Sequence, residues 1–203
     1  MVNEFYLKYR EQFLNGDIYK CKAYFEKNAY YVEAAYCELV LGHLDKAYKI
    51  FDKYAEEDTR ASWGKFLLQM IYNKVFITPK YFEIRNFLEI DINILLTYKK
   101  YNFVEKILAF ANYMSRFNPE TCKYIGRVLW ANGYIKEAVI FLENGKKILY
   151  KDPELHYLLA YIYHNNYKDD EKTLKALNAA LEILPEYFPA NRLKSDILKK
   201  VQS

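Results

Sequence analysis

One spacing limits what this chain can fold into more than any other feature. Gly16 is followed by a small residue five positions on, Cys21, and by a large one nine positions on, Phe25. Gly42, Ala47 and Phe51 repeat the pattern, as do Gly133, Ala138 and Leu142. Asn102, Ile107 and Ala111 form a looser copy, with asparagine at the turn because it tolerates the left-handed region. The physical reading is a helical hairpin. Glycine stops one helix, the small residue lets the next lie close against it, and the large residue fills the seam one turn later. Four copies in one register predict a repeat array.

Asp152–Pro185 is the fullest unit. Leu155, Leu158, Leu159 and Ile162 make one apolar stripe, and Leu174, Leu177, Leu181 and Leu184 make a second. Asp152-Pro153 is ordered as an N-cap and first-turn proline, and Asn165–Asp170 is a polar turn. Ala160, Ala176 and Ala180 are small where two helices must approach. This unit resembles a tetratricopeptide (TPR) repeat, a helix–turn–helix of about 34 residues. The unit after Pro119 is similar to the family too, through Gly126, Leu129, Gly133, Ala138 and Leu142. In the unit after Pro153, Ala160, Tyr163, Thr173, Leu177, Ala180 and Pro185 match if the turn carries one extra residue. The first half is further from the family, since Gly16 and Gly42 lie only 26 residues apart.

The expected fold is therefore all-α: a right-handed, TPR-like α-solenoid of about six antiparallel helix pairs plus a C-terminal capping helix. Helices are expected over Asn3–Leu14, Tyr30–Leu41, Thr59–Asn73, roughly Asp91–Lys100 and Glu120–Ala131, each followed by a partner. Between Asn73 and Leu88 the pattern degrades, and Pro79 is read as opening a short helix. Glu186–Val201 is the cap, with Ala190, Leu193 and Ile197 on one face and Lys194, Lys199 and Lys200 elsewhere. Six glycines and five prolines in 203 residues leave little room for a linker. One domain over 1–203 is expected, with divergent repeats over 1–88, clearer ones over 89–185 and the cap over 186–203.

Few catalytic possibilities survive inspection. The three cysteines form no CxxC pair and lie far apart, which argues against a disulfide framework or a zinc site. No nucleotide-loop, zinc-protease or serine-hydrolase motif is present. His156 and His164 lack a third ligand. The acidic runs Glu56–Asp58 and Asp169–Glu171 fall at helix ends, where the macrodipole accounts for them. No enzyme activity, cofactor or metal is expected. The N-terminus lacks a signal-peptide core, and no window approaches the roughly 18 apolar residues of a membrane span. A soluble, reduced, cytoplasmic protein is expected, without membrane insertion. The net charge of +4 is mild for a duplex-DNA binder. The 22 tyrosines read first as half-buried packing residues.

The TPR resemblance implies a concave groove lined by the first helix of each pair. Carried over by register, its lining would be Lys65, Lys99, Lys100, Lys123, Arg127, Trp130, Tyr157, Tyr161, His164 and Asn165. Cations followed by an aromatic shelf imply binding of a protein or peptide ligand, an extended acidic segment above all. Two alternatives are a self-associating scaffold built on an apolar, Tyr-rich face and, ranked below it, a single-stranded nucleic-acid binder in which Tyr and Trp stack on bases and Lys neutralises phosphates.

Overall fold

In the computed structural model the described residues run from Glu4 to Val201, with side chains described as far as Lys199. Asn3 and the Lys200 side chain, both named above, lie outside them. The protein is all-α, with thirteen α-helices and no strand among the described residues. It packs as two compact units, Met1–Asn118 and Pro119–Ser203.

The first unit holds α1 (Glu4–Leu14), α2 (Ile18–Lys27), α3 (Tyr31–Leu41), α4 (Leu44–Tyr54), α5 (Thr59–Ile71), α6 (Tyr81–Thr97), α7 (Tyr101–Leu108) and α8 (Ala111–Met114). The second holds α9 (Thr121–Ala131), α10 (Ile135–Ile148), α11 (Pro153–Ile162), a π-helical turn (Tyr163–Tyr167), α12 (Asp170–Ile183) and α13 (Phe188–Val201). From α1 to α7 and from α9 to α13 each helix packs on its successor, and α3 also meets α5 as α11 meets α13.

The hairpin code is visible in the backbone. Gly16, Gly42 and Gly133 have φ of 99°, 91° and 83°, and each precedes a helix by two residues. Lys99 and Lys168 occupy the same place at φ 56° and 55°. Five residues past these turns lie Cys21, Ala47, Val104, Ala138 and Thr173, all buried. Nine past, Phe25, Phe51, Leu142 and Leu177 are buried as well. The fourth turn is thus centred on Lys99, not on Asn102, which lies inside α7.

The array lapses after α5. Asn73 has φ 56°, but no short hairpin partner follows. The chain runs irregularly to a buried Pro79 and then enters α6, a 17-residue helix. The separate helices expected from Pro79 and over Asp91–Lys100 are one. Ile84, Leu88, Ile92 and Leu95, all buried, give α6 a single continuous stripe.

Capping follows local chemistry. Asp58 accepts from the backbone N–H of Arg60 and Ala61 at 2.7 and 3.0 Å, and Asp169 accepts from that of Lys172 at 2.9 Å. Asp152 accepts from the Leu155 N–H at 3.1 Å, with Pro153 in the first turn. The turn after α11 takes its extra residue as the π turn. The cap α13 starts two residues later than expected and seats Ala190 and Ile197 against Ala160, Leu177 and Ala180.

In the first unit Glu38 is buried, with Lys22 Nζ at 3.0 Å and His43 Nδ1 at 2.6 Å. Burial pushes its carboxyl up, but the His43 hydrogen bond and the Lys22 pair outweigh it and leave the group below its usual range. A depressed carboxylate stabilises the fold fully above its unfolded pKa of about 4.3 and ceases to do so as pH falls through the lower folded value. The urea-midpoint gap between wild type and Glu38→Gln is therefore expected to be constant near neutrality and to close below pH ~4.

Candidate functional site

Two adjoining features of the second unit come from its inner helices. The first is an ion cluster. Lys123, on α9, is only 4% exposed. Its Nζ lies 2.7 Å from Glu120, 2.7 Å from Asp152 and 3.0 Å from Glu154. Burial would pull the ammonium pKa down, but the three carboxylates reverse this and hold it charged. Arg127, one turn along, donates to the second Glu154 oxygen at 3.0 Å, its guanidinium 5.7 Å from the Tyr124 ring centre.

The second feature is a row of four rings. Trp130 meets Tyr161 at 5.5 Å between centroids, Tyr161 meets Tyr157 at 6.0 Å, and Tyr157 meets Tyr187 at 5.8 Å. Tyr157 and Tyr161 share a face of α11 because they are four residues apart. All four rings are half-buried. Trp130 packs on Leu142, Leu155, Leu159 and Ile162, and Tyr157 and Tyr187 pack on the cluster around Ala160 and Leu177. Their polar atoms stay available. Trp130 Nε1 and the hydroxyls of Tyr157, Tyr161 and Tyr187 make no hydrogen bond to another described residue.

The residues expected to line a groove thus stand in different settings. Trp130, Tyr157 and Tyr161 come together, and Tyr187 joins them from the turn before α13. Lys123 is a scaffold residue: its charge is engaged by three carboxylates and it has almost no surface to offer a ligand. Arg127 is shared with Glu154. His164 and Asn165 belong to the π turn, where Asn165 donates to the Tyr161 carbonyl at 2.9 Å and His164 Nδ1 stands 3.9 Å from Asp170. In the first unit Lys65 pairs with Asp52 at 2.6 Å, tying α5 to α4. Lys99 and Lys100 form the turn into α7.

The sequence reading missed a cleft in the first unit, about 270 Å³, bordered by Tyr6, Arg10, Glu33, Arg60, Phe87 and Ile90. Asp91, 1% exposed and bonded to the cleft residues Tyr36 and Arg60, receives Trp63 Nε1 at 2.6 Å, Tyr36 Oη at 3.2 Å and both terminal nitrogens of Arg60. The Arg60 guanidinium lies 4.1 Å from the Tyr36 ring centre and 4.6 Å from that of Phe87. Burial pushes the Asp91 carboxyl up and its donors offset part of that. Tyr6 donates to Glu33 at 2.6 Å, and its hydroxyl pKa is raised to about 12 by burial and by that bond. Tyr6, Glu33, Tyr36 and Arg60, which border it, are bonded to one another or to Asp91. The available signal was the pairing of Arg60 and Trp63, one turn apart, with an acid in the middle of α6. It shows only once α6 is read as a single helix.

Among the described residues no cluster of His, Cys, Asp and Glu is arranged to hold a metal ion, and no helix is long and apolar enough to cross a membrane. No family model matches the chain, and no curated protein matches it. Among solved structures it is similar to the crystal structure of YrrB, described as a TPR protein with an unusual peptide-binding site, at 18% identity and a TM-score of 0.41, over 85% of this chain and 96% of that one.

Proposed function

We propose that the protein is a non-enzymatic, TPR-like binding module that takes an extended polypeptide segment along the Trp130–Tyr161–Tyr157–Tyr187 row. One observation carries this reading: four rings contact one another in a row, three of them packed on the core, while their polar atoms make no hydrogen bond to another described residue. Rigid aromatic area with unengaged hydrogen-bonding groups is the usual anchor of a protein interface. The acidic ligand implied by the cations loses support here. Its carboxylates would have to take Arg127 from Glu154, and Lys123 is enclosed.

Loss of Trp130 should therefore outweigh loss of Arg127. Against a partner captured from the source cell and then purified, Trp130→Ala is expected to weaken binding by about 2–4 kcal/mol, the range of an interface hot spot. Arg127→Ala should change it by less than about 1.5 kcal/mol. Calorimetry with the purified pair reads both, and circular dichroism checks that each variant folds. The reverse ranking would return the reading to an acidic ligand held by Arg127. Binding that falls steeply with salt and is competed by single-stranded nucleic acid would favour the nucleic-acid alternative. A mass that rises with concentration in light scattering would favour the scaffold.

A further inference from the structure

Resting on that reading of the row, we infer that its ligand is a proline-rich segment in the polyproline II conformation. The argument begins with hydrogen-bond balance. The row offers the Trp130 N–H, a donor only, and three tyrosine hydroxyls, none bonded to another described residue. All four groups can donate, so a ligand that presents free carbonyl oxygens engages the whole row. Polyproline II has no internal hydrogen bonds, so all its carbonyls are available. Each proline also removes an N–H that would otherwise need an acceptor on the row.

Shape agrees. Successive rings are inclined at 77°, 53° and 80°. Rings inclined this way make a ridged surface, where parallel rings would make a flat platform. A pyrrolidine ring packs against such a ridged aromatic surface, whereas a nucleobase needs an open face on which to stack. With steps of 5.5–6.0 Å between centroids, alternate rings lie within about 12 Å of each other. The three-residue turn of polyproline II advances about 9 Å, so prolines one turn apart can reach alternate rings. The segment is also preformed, and the rings are held by one another and, for Trp130, Tyr157 and Tyr187, by the core, so neither side orders much on binding. Charge does not intervene, because the Lys123 and Arg127 cations at the edge of the row are engaged by Glu120, Asp152 and Glu154.

The test is calorimetric titration of the protein with three synthetic peptides of equal length: an oligoproline, the same peptide with every second proline replaced by alanine so that no two prolines lie one turn apart, and an oligoglutamate. The oligoproline is expected to bind most tightly, with little dependence on salt. Tyr161→Ala should weaken it about tenfold or more. Tyr161→Phe keeps the ring and the packing but removes the hydroxyl, and should weaken it several-fold, which a purely structural role of Tyr161 would not do. If the alanine-containing or glutamate peptide binds as tightly as oligoproline and is still lost with Tyr161→Ala, the row is the site and the proline inference is wrong. If oligoproline binds but Tyr161→Ala and Trp130→Phe leave its affinity unchanged, both the inference and the underlying reading fall. Absence of binding by oligoproline, with folding verified, overturns the inference.

Discussion

Arg60→Met is expected to destabilise the first unit by about 3–5 kcal/mol, the cost of leaving a buried charge without its partner. Asp91 sits beneath it with almost no solvent contact and would retain only Trp63 and Tyr36 as donors. The methionine fills much of the space between Tyr36 and Phe87, so the loss is electrostatic more than a matter of volume. A double variant makes the distinction. Arg60→Met with Asp91→Leu removes both charges, and exchanges of this kind are often neutral or stabilising when the packing is kept. Urea unfolding followed by tryptophan fluorescence would report it, because the chain's two tryptophans, Trp63 and Trp130, lie one in each unit. In a Trp130→Phe background the signal belongs to Trp63 alone. Equal destabilisation by the single and double variants would mean that Arg60 matters through packing rather than as a counter-charge.

Gly64→Ala is the second large effect, and its sign runs against helix propensity. Alanine in place of glycine within a helix ordinarily stabilises by about 0.5–1 kcal/mol. At Gly64, inside α5, a Cβ would stand 2.6–2.7 Å from three atoms of the Phe51 ring. Phe51 is itself fully buried, so the ring has no open side to move into. Overpacking of this kind costs about 1–3 kcal/mol and should win. Shortening the opposing side chain tests the cause. Phe51→Leu is destabilising alone, but combined with Gly64→Ala it should cost less than the sum of the two, by about 0.5–3 kcal/mol. Gly145→Ala, whose Cβ would meet Cys122 and Leu155 at 3.2 Å, is the milder comparison. Additive energies for Gly64 and Phe51 in thermal or urea unfolding would contradict the contact.

The repeat was legible because its signal is local. A left-handed turn, a small residue five on and a large one nine on are all set within one hairpin, and glycine marks three of the turns. The fourth was misplaced because lysine, not glycine, occupies it: nothing about Lys99 announces a positive φ, whereas nearby Asn102 does. The length of α6 was missed for a related reason. Pro79 and the polar residues after it resemble a hairpin boundary, and the buried stripe from Ile84 to Leu95 emerges only if the helix is followed across it.

The candidate site was legible in its rings and not in its charges. Trp130, Tyr157 and Tyr161 follow from helical periodicity. Their contact with Tyr187 depends on how the chain enters α13, which no spacing encodes. The availability of Lys123 could not be read from helix position either. Asp152 and Glu154 lie about 30 residues away and serve the N-terminus of α11, so their second role as partners of Lys123 appears only when α9 and α11 lie side by side.

The π turn at Tyr163–Tyr167 bears on how such a chain can change over evolutionary time. An α-helical segment that gains one residue would normally rotate everything after it by about 100° and turn a buried stripe outward. Here the added residue is taken up in a single widened turn, Lys168 adopts the left-handed conformation that glycine adopts elsewhere, and Thr173 and Leu177 return to the same seam positions as Ala138 and Leu142. Single-residue insertions at the end of a first helix are thus neutral to the packing that follows. Repeats in a chain of this kind can drift in length while keeping phase in space, and a comparison that assumes a fixed period loses their kinship at such a point.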